Sequence, residues 1–175
     1  METFTIHNNS KVDKYISIIL EEIVDDILSP SIKNKIVDII LTGGFGKSEG
    51  GLYYSKTHKK MQILNDIDLL VILKPNFFIN YFFCKKYIED KVNKISIKYN
   101  IKQIDLSFRS VKMLKNSKFT VANYEIKNGY KNLYSNFSLF DSMPNYNNEK
   151  IPIEEGKNYL FNRGSGLLIP LLYLK

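Results

Sequence analysis

Ile36 to Leu41 is a run of β-branched and aliphatic residues broken only by Asp38, and it ends at Thr42 directly before Gly43-Gly44-Phe45-Gly46, where the chain's glycine cluster begins. Such a run predicts a buried strand. The glycines that follow let the backbone turn sharply and pass close to a ligand, because a residue without Cβ tolerates positive φ and near approach. After a polar connection the chain continues as Asn65-Asp66-Ile67-Asp68-Leu69-Leu70-Val71-Ile72-Leu73. Alternation along a strand sends Asp66 and Asp68 to one face. Two carboxylates on neighbouring same-side positions repel each other unless a cation lies between them. A hard cation such as Mg²⁺ takes oxygen ligands together with substrate phosphates. Glycine turn and paired aspartates therefore point to metal-assisted chemistry on a nucleotide.

The flanking segments supply the rest of an α/β scaffold. Val12 to Leu28 carries Val12, Tyr15, Ile16, Ile19, Leu20, Ile23 and Ile27 on one stripe, which predicts a helix that Ser29-Pro30 stops. Asp25 and Asp26 fall on its solvated face. A short helix is expected to open near Lys47 or Ser48, aiming free N–H groups at phosphate. Leu52 to Ile63 reads as an inserted hairpin or loop, basic through Lys56, Lys59 and Lys60. His58 within it, like His7, has no companion at metal-ligand spacing.

Beyond Lys74-Pro75-Asn76 a helix is predicted from Ile79 to Lys98, with Tyr81, Cys84, Ile88, Val92 and Ile95 facing the sheet. Cys84 lies on that apolar stripe as a core residue. Ile101 to Phe108 then reads as a strand with Ile104, Leu106 and Phe108 on one face and Gln103, Asp105 and Ser107 on the other. Between Phe119 and Asn136, Tyr124 to Ile126 and Lys131 to Tyr134 predict strands joined by a turn at Asn128-Gly129. Residues 141–152 form an Asn- and Pro-containing loop and the expected internal boundary, followed by a helical segment from Ile153.

The 175 residues suffice for one domain with a substantial core. Hydrophobic content of 44%, with 12 Tyr and 11 Phe, excludes a disordered chain. The single cysteine forms no intramolecular disulfide, and the first residues lack the apolar stretch of a signal peptide, so a cytoplasmic setting is expected. The net charge of +7 comes mostly from lysines spread along the chain rather than gathered in one motif. A nucleic-acid partner is therefore not favoured. The apolar Leu167 to Leu172 stretch is too short to span a bilayer.

Gly43-Gly44, Lys47, Gly50, the Asp66-Ile67-Asp68 strand and the later Ile104-Asp105-Leu106 together resemble the nucleotidyltransferases of the DNA polymerase beta type. The turn is similar to that superfamily's Gly-Gly-Phe-Gly-Arg-Gly-Glu-Gly variant, with Lys47-Ser48 in place of Arg-Gly. The core of the match runs from about Leu41 to Phe108. The resemblance implies that Gly43, Gly44, Lys47 and Ser48 hold the triphosphate. It also implies that Asp66, Asp68 and Asp105 are catalytic and bind two Mg²⁺ ions, Asp105 completing the site beside the attacking hydroxyl. Many members carry Ser after the first glycine, whereas Gly44 offers backbone donors alone. The resemblance implies a mixed α/β nucleotidyltransferase fold, a small mixed central sheet flanked by helices with a C-terminal helical segment. Residues 1–150 would be the catalytic domain and 151–175 the start of a helical part, possible through its apolar end as a self-association contact or as a lead into a missing domain.

The expected reaction moves a nucleoside monophosphate from a nucleoside triphosphate to a hydroxyl, releasing pyrophosphate. The acceptor is a small molecule or a protein side chain; the alternatives are template-independent addition to tRNA or other RNA, and an inert nucleotide- or partner-binding module. A P-loop is excluded by spacing, because the position five before Gly46 is Leu41 rather than glycine.

Overall fold

The computed structural model describes residues 2–6, 9–55, 60–135, 137–146 and 151–161. The fold is mixed α/β, built on a four-stranded sheet. Helix α1 (Ser10–Ile27) precedes strand β1 (Ile36–Thr42), a single helical turn α2 (Gly43–Gly46) and a hairpin of β2 (Leu52–Ser55) and β3 (Lys60–Ile63). Strand β4 (Ile67–Leu73) leads into the long helix α3 (Phe77–Tyr99) and strand β5 (Ile104–Ser110). Short helices α4 (Val111–Lys115) and α5 (Val121–Asn128), strand β6 (Lys131–Tyr134) and helix α6 (Leu139–Ser142) follow. A further helix, α7, covers 153–161.

The strand order is β5-β4-β1-β6. β1 runs antiparallel to both of its neighbours, whereas β4 and β5 are parallel. That parallel pair needs a crossover, and α3 provides it. Alternation along β4 divides the core into two layers. Ile67, Leu69, Val71 and Leu73 pack with α1 and with Cys84, Ile88, Val92 and Ile95 of α3. Leu70 and Ile72 face the other way, toward Leu114, Leu139 and Met143. With both faces covered, β4 must be almost wholly apolar, and Asp68 interrupts it only near the open end.

Several expectations hold. α1 buries the stripe assigned to it, the connection around Leu52 to Ile63 is a hairpin, and Cys84 is a core residue whose thiol burial pushes up. Others need correction. No helix opens at Lys47 or Ser48: the helical turn lies earlier, over Gly43–Gly46, and Ser48 follows it with φ 64°. The segment read as strand around Tyr124 to Ile126 is instead helix α5, and Asn128-Gly129 ends that helix rather than forming a hairpin turn. Thr120 caps α5 by accepting from the N–H of Asn123 at 3.1 Å, a local start signal that outweighs the weak alternation beyond it. Strand β5 begins at Ile104 rather than Ile101, after Asn100 closes α3 in the left-handed region. His7, His58 and Leu167 to Leu172 lie outside the described residues.

Two buried acids went unassigned in the sequence. Asp13 accepts from the N–H of Phe4 at 2.8 Å and the hydroxyl of Thr5 at 3.1 Å, tying the N-terminal segment to α1. Asp38 is fully buried on β1, where Oδ1 accepts from the N–H of Ile39 at 2.6 Å and Oδ2 has no hydrogen-bond partner among the described residues. Burial pushes its carboxyl up to about 6, and the Ile39 N–H offsets part of that effect.

Candidate active site

β1 ends where β4 begins, because the two are antiparallel, and this folds the glycine turn onto the aspartates. Thr42 is the register partner of Asp68. On the other side of β4, Asp68 is the register partner of Asp105. The glycine turn, Asp68 and Asp105 therefore form one row across three adjacent strands, at the end of the sheet that is not closed by Leu70 and Ile72. Asp66 stands just before β4, two residues from Asp68.

The approach of Gly43 to Asp68 is close. An atom in the β position at residue 43, where φ is +62°, would lie 1.9 Å from Asp68 Oδ2. Gly44 is different: a Cβ there would meet nothing nearer than Asn65 Nδ2 at 3.7 Å. Gly46 is needed for packing, since a Cβ would come within 2.7 Å of the Gly129 carbonyl and 2.8 Å of the Leu41 carbonyl. Phe45, buried in the core, anchors the turn from beneath. The first N–H groups of a helical turn have no intrahelical partner, and Thr42 makes no side-chain cap here.

The predicted phosphate ligands Lys47 and Ser48 are both engaged. Lys47 Nζ pairs with Glu125 Oε1 at 2.9 Å, both side chains being partly exposed. Glu125 Oε2 accepts from the hydroxyl of Tyr159 on α7 at 2.6 Å. The Ser48 hydroxyl donates to the Thr3 carbonyl at 2.7 Å and accepts from Lys131 Nζ at 2.9 Å. Lys131 Nζ also donates to the Gly46 carbonyl at 2.9 Å, so this lysine clamps the turn. Asn65 Oδ1 accepts from the N–H of Gly51 at 2.6 Å, joining the hairpin to the start of the aspartate strand.

Glu125, Tyr159, Lys131 and Asn65 were not singled out in the sequence. For the first three no local signal existed: Glu125 and Lys131 come from segments 78 or more positions away from the turn residues they touch, and Tyr159 lies 34 positions from Glu125. Asn65 adjoins Asp66 and was the one within reach of sequence reasoning.

Asp105 is exposed on the edge strand, and its Oδ1 accepts from Gln103 Nε2 at 2.7 Å. Neither Asp66 nor Asp105 is ion-paired with a lysine or arginine among the described residues. Among those residues, also, no three acid, histidine or cysteine side chains draw together as a group that could hold a metal ion, so Asp66, Asp68 and Asp105 do not meet as one three-acid cluster. Carboxylate oxygens in an open row nevertheless fit Mg²⁺, which is commonly held by one or two carboxylates while waters and substrate phosphates fill its remaining positions. The arrangement thus offers backbone donors for phosphate and carboxylates for a hard cation.

No family model and no curated protein sequence matches the chain. Among the described residues no helix is long and apolar enough to cross a membrane. Among solved structures, the chain is similar to the crystal structure of spectinomycin adenyltransferase AAD(9) from Enterococcus faecialis with ATP and spectinomycin. The TM-score is 0.53 and the sequence identity 17%, over 87% of this chain and 66% of that one. At that identity the likeness is one of fold.

Proposed function

We propose that the protein is a Mg²⁺-dependent nucleotidyltransferase that moves a nucleoside monophosphate from a nucleoside triphosphate, ATP in the first instance, to the hydroxyl of a small molecule. The observation that carries this reading is the row Thr42, Asp68, Asp105, which brings the glycine turn and two acids together on three neighbouring strands. The fold it shares with an adenyltransferase studied with ATP and spectinomycin supports a small acceptor over a macromolecular one.

Gly43 and Gly44 present backbone N–H groups to the triphosphate, and Lys47 lies beside them as a compact cation. Asp66 and Asp68 would hold the ion that accompanies the triphosphate; Asp105 would complete the metal site beside the acceptor hydroxyl and accept its proton. Bound Mg²⁺, as one or two ions, supplies neutralisation of the charge that grows on the attacking and leaving oxygens. The acceptor oxygen forms a bond to the α-phosphorus while the bond from that phosphorus to the bridging oxygen breaks, and pyrophosphate leaves with the electron pair. Residues 1–150 form the catalytic part in this scheme, and α7 begins a helical part that reaches the site through Tyr159 and Glu125.

The test is incubation with labelled triphosphates and Mg²⁺ and a panel of hydroxyl-bearing small molecules, with pyrophosphate release as the readout. Acceptor-dependent release that Asp68→Asn abolishes is the expected result. Triphosphate binding without release on any acceptor would leave an inert nucleotide-binding module. Release that depends on oligonucleotides and falls steeply with salt would assign a nucleic-acid acceptor instead.

A further inference from the structure

At the far end of β4 and β5 from the aspartates lies a groove of about 1150 Å³ that has no part in the reaction described above. Arg109, which enters it, is four residues beyond Asp105 on β5, a separation of about 13 Å along a strand. Its walls are Leu73, Phe77, Phe78, Val111 and Met113. Its charged lining residues are Arg109, Lys112 and Lys118, and no carboxylate among the described residues lines it.

Arg109 is the informative member. It is half-buried, and its Nη1 donates to a neutral acceptor, Asn123 Oδ1, at 2.9 Å. Asn123 is itself buried, and its orientation is set by a bond from Nδ2 to the Lys118 carbonyl at 3.0 Å. The amide oxygen is thus committed to the guanidinium. None of Arg109, Lys112 and Lys118 pairs with a carboxylate among the described residues. A guanidinium partly withdrawn from water beside aromatic walls is under-compensated, and its fork of donors matches a carboxylate, sulfonate or phosphate. Ligand pockets combine a mostly apolar wall with a few fixed polar groups of this kind.

We propose that this groove binds a small anionic amphiphile, an organic anion whose acidic head meets Arg109 with Lys112 and Lys118 near it, and whose aliphatic or aryl body lies on Phe77, Phe78, Val111 and Met113. The site is separate from the aspartate row and does not depend on the reading of that row as catalytic. The charge pattern decides the class of ligand. A neutral apolar compound would leave Arg109 uncompensated, and a cation would meet three like charges.

Decanoate, below its micelle concentration, is the probe, with decanol and the decyltrimethylammonium cation as its neutral and cationic counterparts. Backbone amide NMR on the full chain reads where each binds. Decanoate should shift amides in 73–78 and 109–123 while leaving 43–47 and 66–68 unmoved, and should bind at least ten-fold more tightly than either counterpart. Arg109→Gln should weaken decanoate roughly ten- to hundred-fold, the range for a hydrogen bond to a charged group. Lys112→Glu, at an exposed rim position that cannot disturb the core, should weaken it several-fold with the spectrum otherwise unchanged. Equal affinity for decanol or the cation, or a decanoate affinity that both variants leave intact, overturns the proposal. So does a shift pattern centred on 43–47 and 66–68, which would make the ligand a visitor to the aspartate row.

Discussion

Gly43 and Asp68 occupy adjoining space so closely that a single added carbon at residue 43 would lie 1.9 Å from the Asp68 carboxylate. That relationship couples the turn to the acid. Gly43→Ala should therefore act in two ways: it strains a backbone at φ +62°, at about 1–2 kcal/mol, and it displaces Asp68. Thermal melting should show the first effect. Calorimetric titration with Mg²⁺ and a non-hydrolysable triphosphate should show loss of binding from the second; full retention of binding would separate Asp68 from the metal site.

Gly44→Val makes the contrasting case. A Cβ at residue 44 has its nearest neighbour at 3.7 Å, so the variant should fold with a melting temperature close to the parent's. It should nevertheless lose triphosphate affinity, because a branched side chain would stand where phosphate must approach the backbone. Unchanged affinity in a folded Gly44→Val protein would move the phosphate site elsewhere.

Asp105, alone of the three acids, lies on an edge strand and is exposed. Asp105→Asn should leave affinity for the metal-triphosphate complex within a few-fold, yet slow transfer by roughly two to four orders of magnitude, the range for loss of a proton acceptor. Single-turnover rates measured beside titrations will distinguish this from a common loss in both quantities, which would mean that Asp66, Asp68 and Asp105 share one metal.

Glu125 competes for the cation proposed to meet phosphate. Glu125→Gln should tighten triphosphate binding several-fold by freeing Lys47, while Lys47→Ala should weaken it by a similar factor. Because the pair is partly exposed, its loss should change stability by less than about 1 kcal/mol. Weaker binding in Glu125→Gln would show instead that Glu125 holds Lys47 in its working position.

Asp38 gives a pH signature unrelated to the site. Its carboxyl in the fold titrates at about 6 against an ordinary value of 3.8, so the folded protein favours the protonated form. The sign follows: stability is greatest below the lower value, declines as pH rises through the interval, and levels off above the upper one. The shift corresponds to about 3 kcal/mol. Asp38→Asn, which keeps the acceptor for the Ile39 N–H and carries no charge, should flatten this dependence and be the more stable protein near neutral pH. Urea midpoints from about pH 4 to pH 8 will check it, and parallel curves for the two proteins would refute it.

Residues close in sequence carried their own instructions. Asp68 lies on a strand whose alternation orients it and Asp66 directly precedes that strand, Cys84 to Ile95 repeat at helical spacing, and the glycines beside Ile36 to Leu41 mark a turn by their lack of side chains. These are local properties, so the sequence by itself determined the elements, the stripe each buries, and which residues were candidates for the site. The exceptions were short segments with weak periodicity: Val121–Asn128 alternates faintly but is helical because Thr120 caps it, and Gly43–Gly46 closes as a helical turn because Phe45 is drawn into the core.

Neighbourhood across the sheet was beyond local reading. Register between β1, β4 and β5 aligns Thr42, Asp68 and Asp105, and it depends on how both apolar faces of β4 are buried at once. The partners of Lys47 and Ser48 were equally hidden, since Glu125, Thr3 and Lys131 meet the turn only when the helices and β6 close around it. A residue's type and spacing can announce chemistry, but which charge stands beside it is settled by packing between distant segments, and that information exists only in the folded chain.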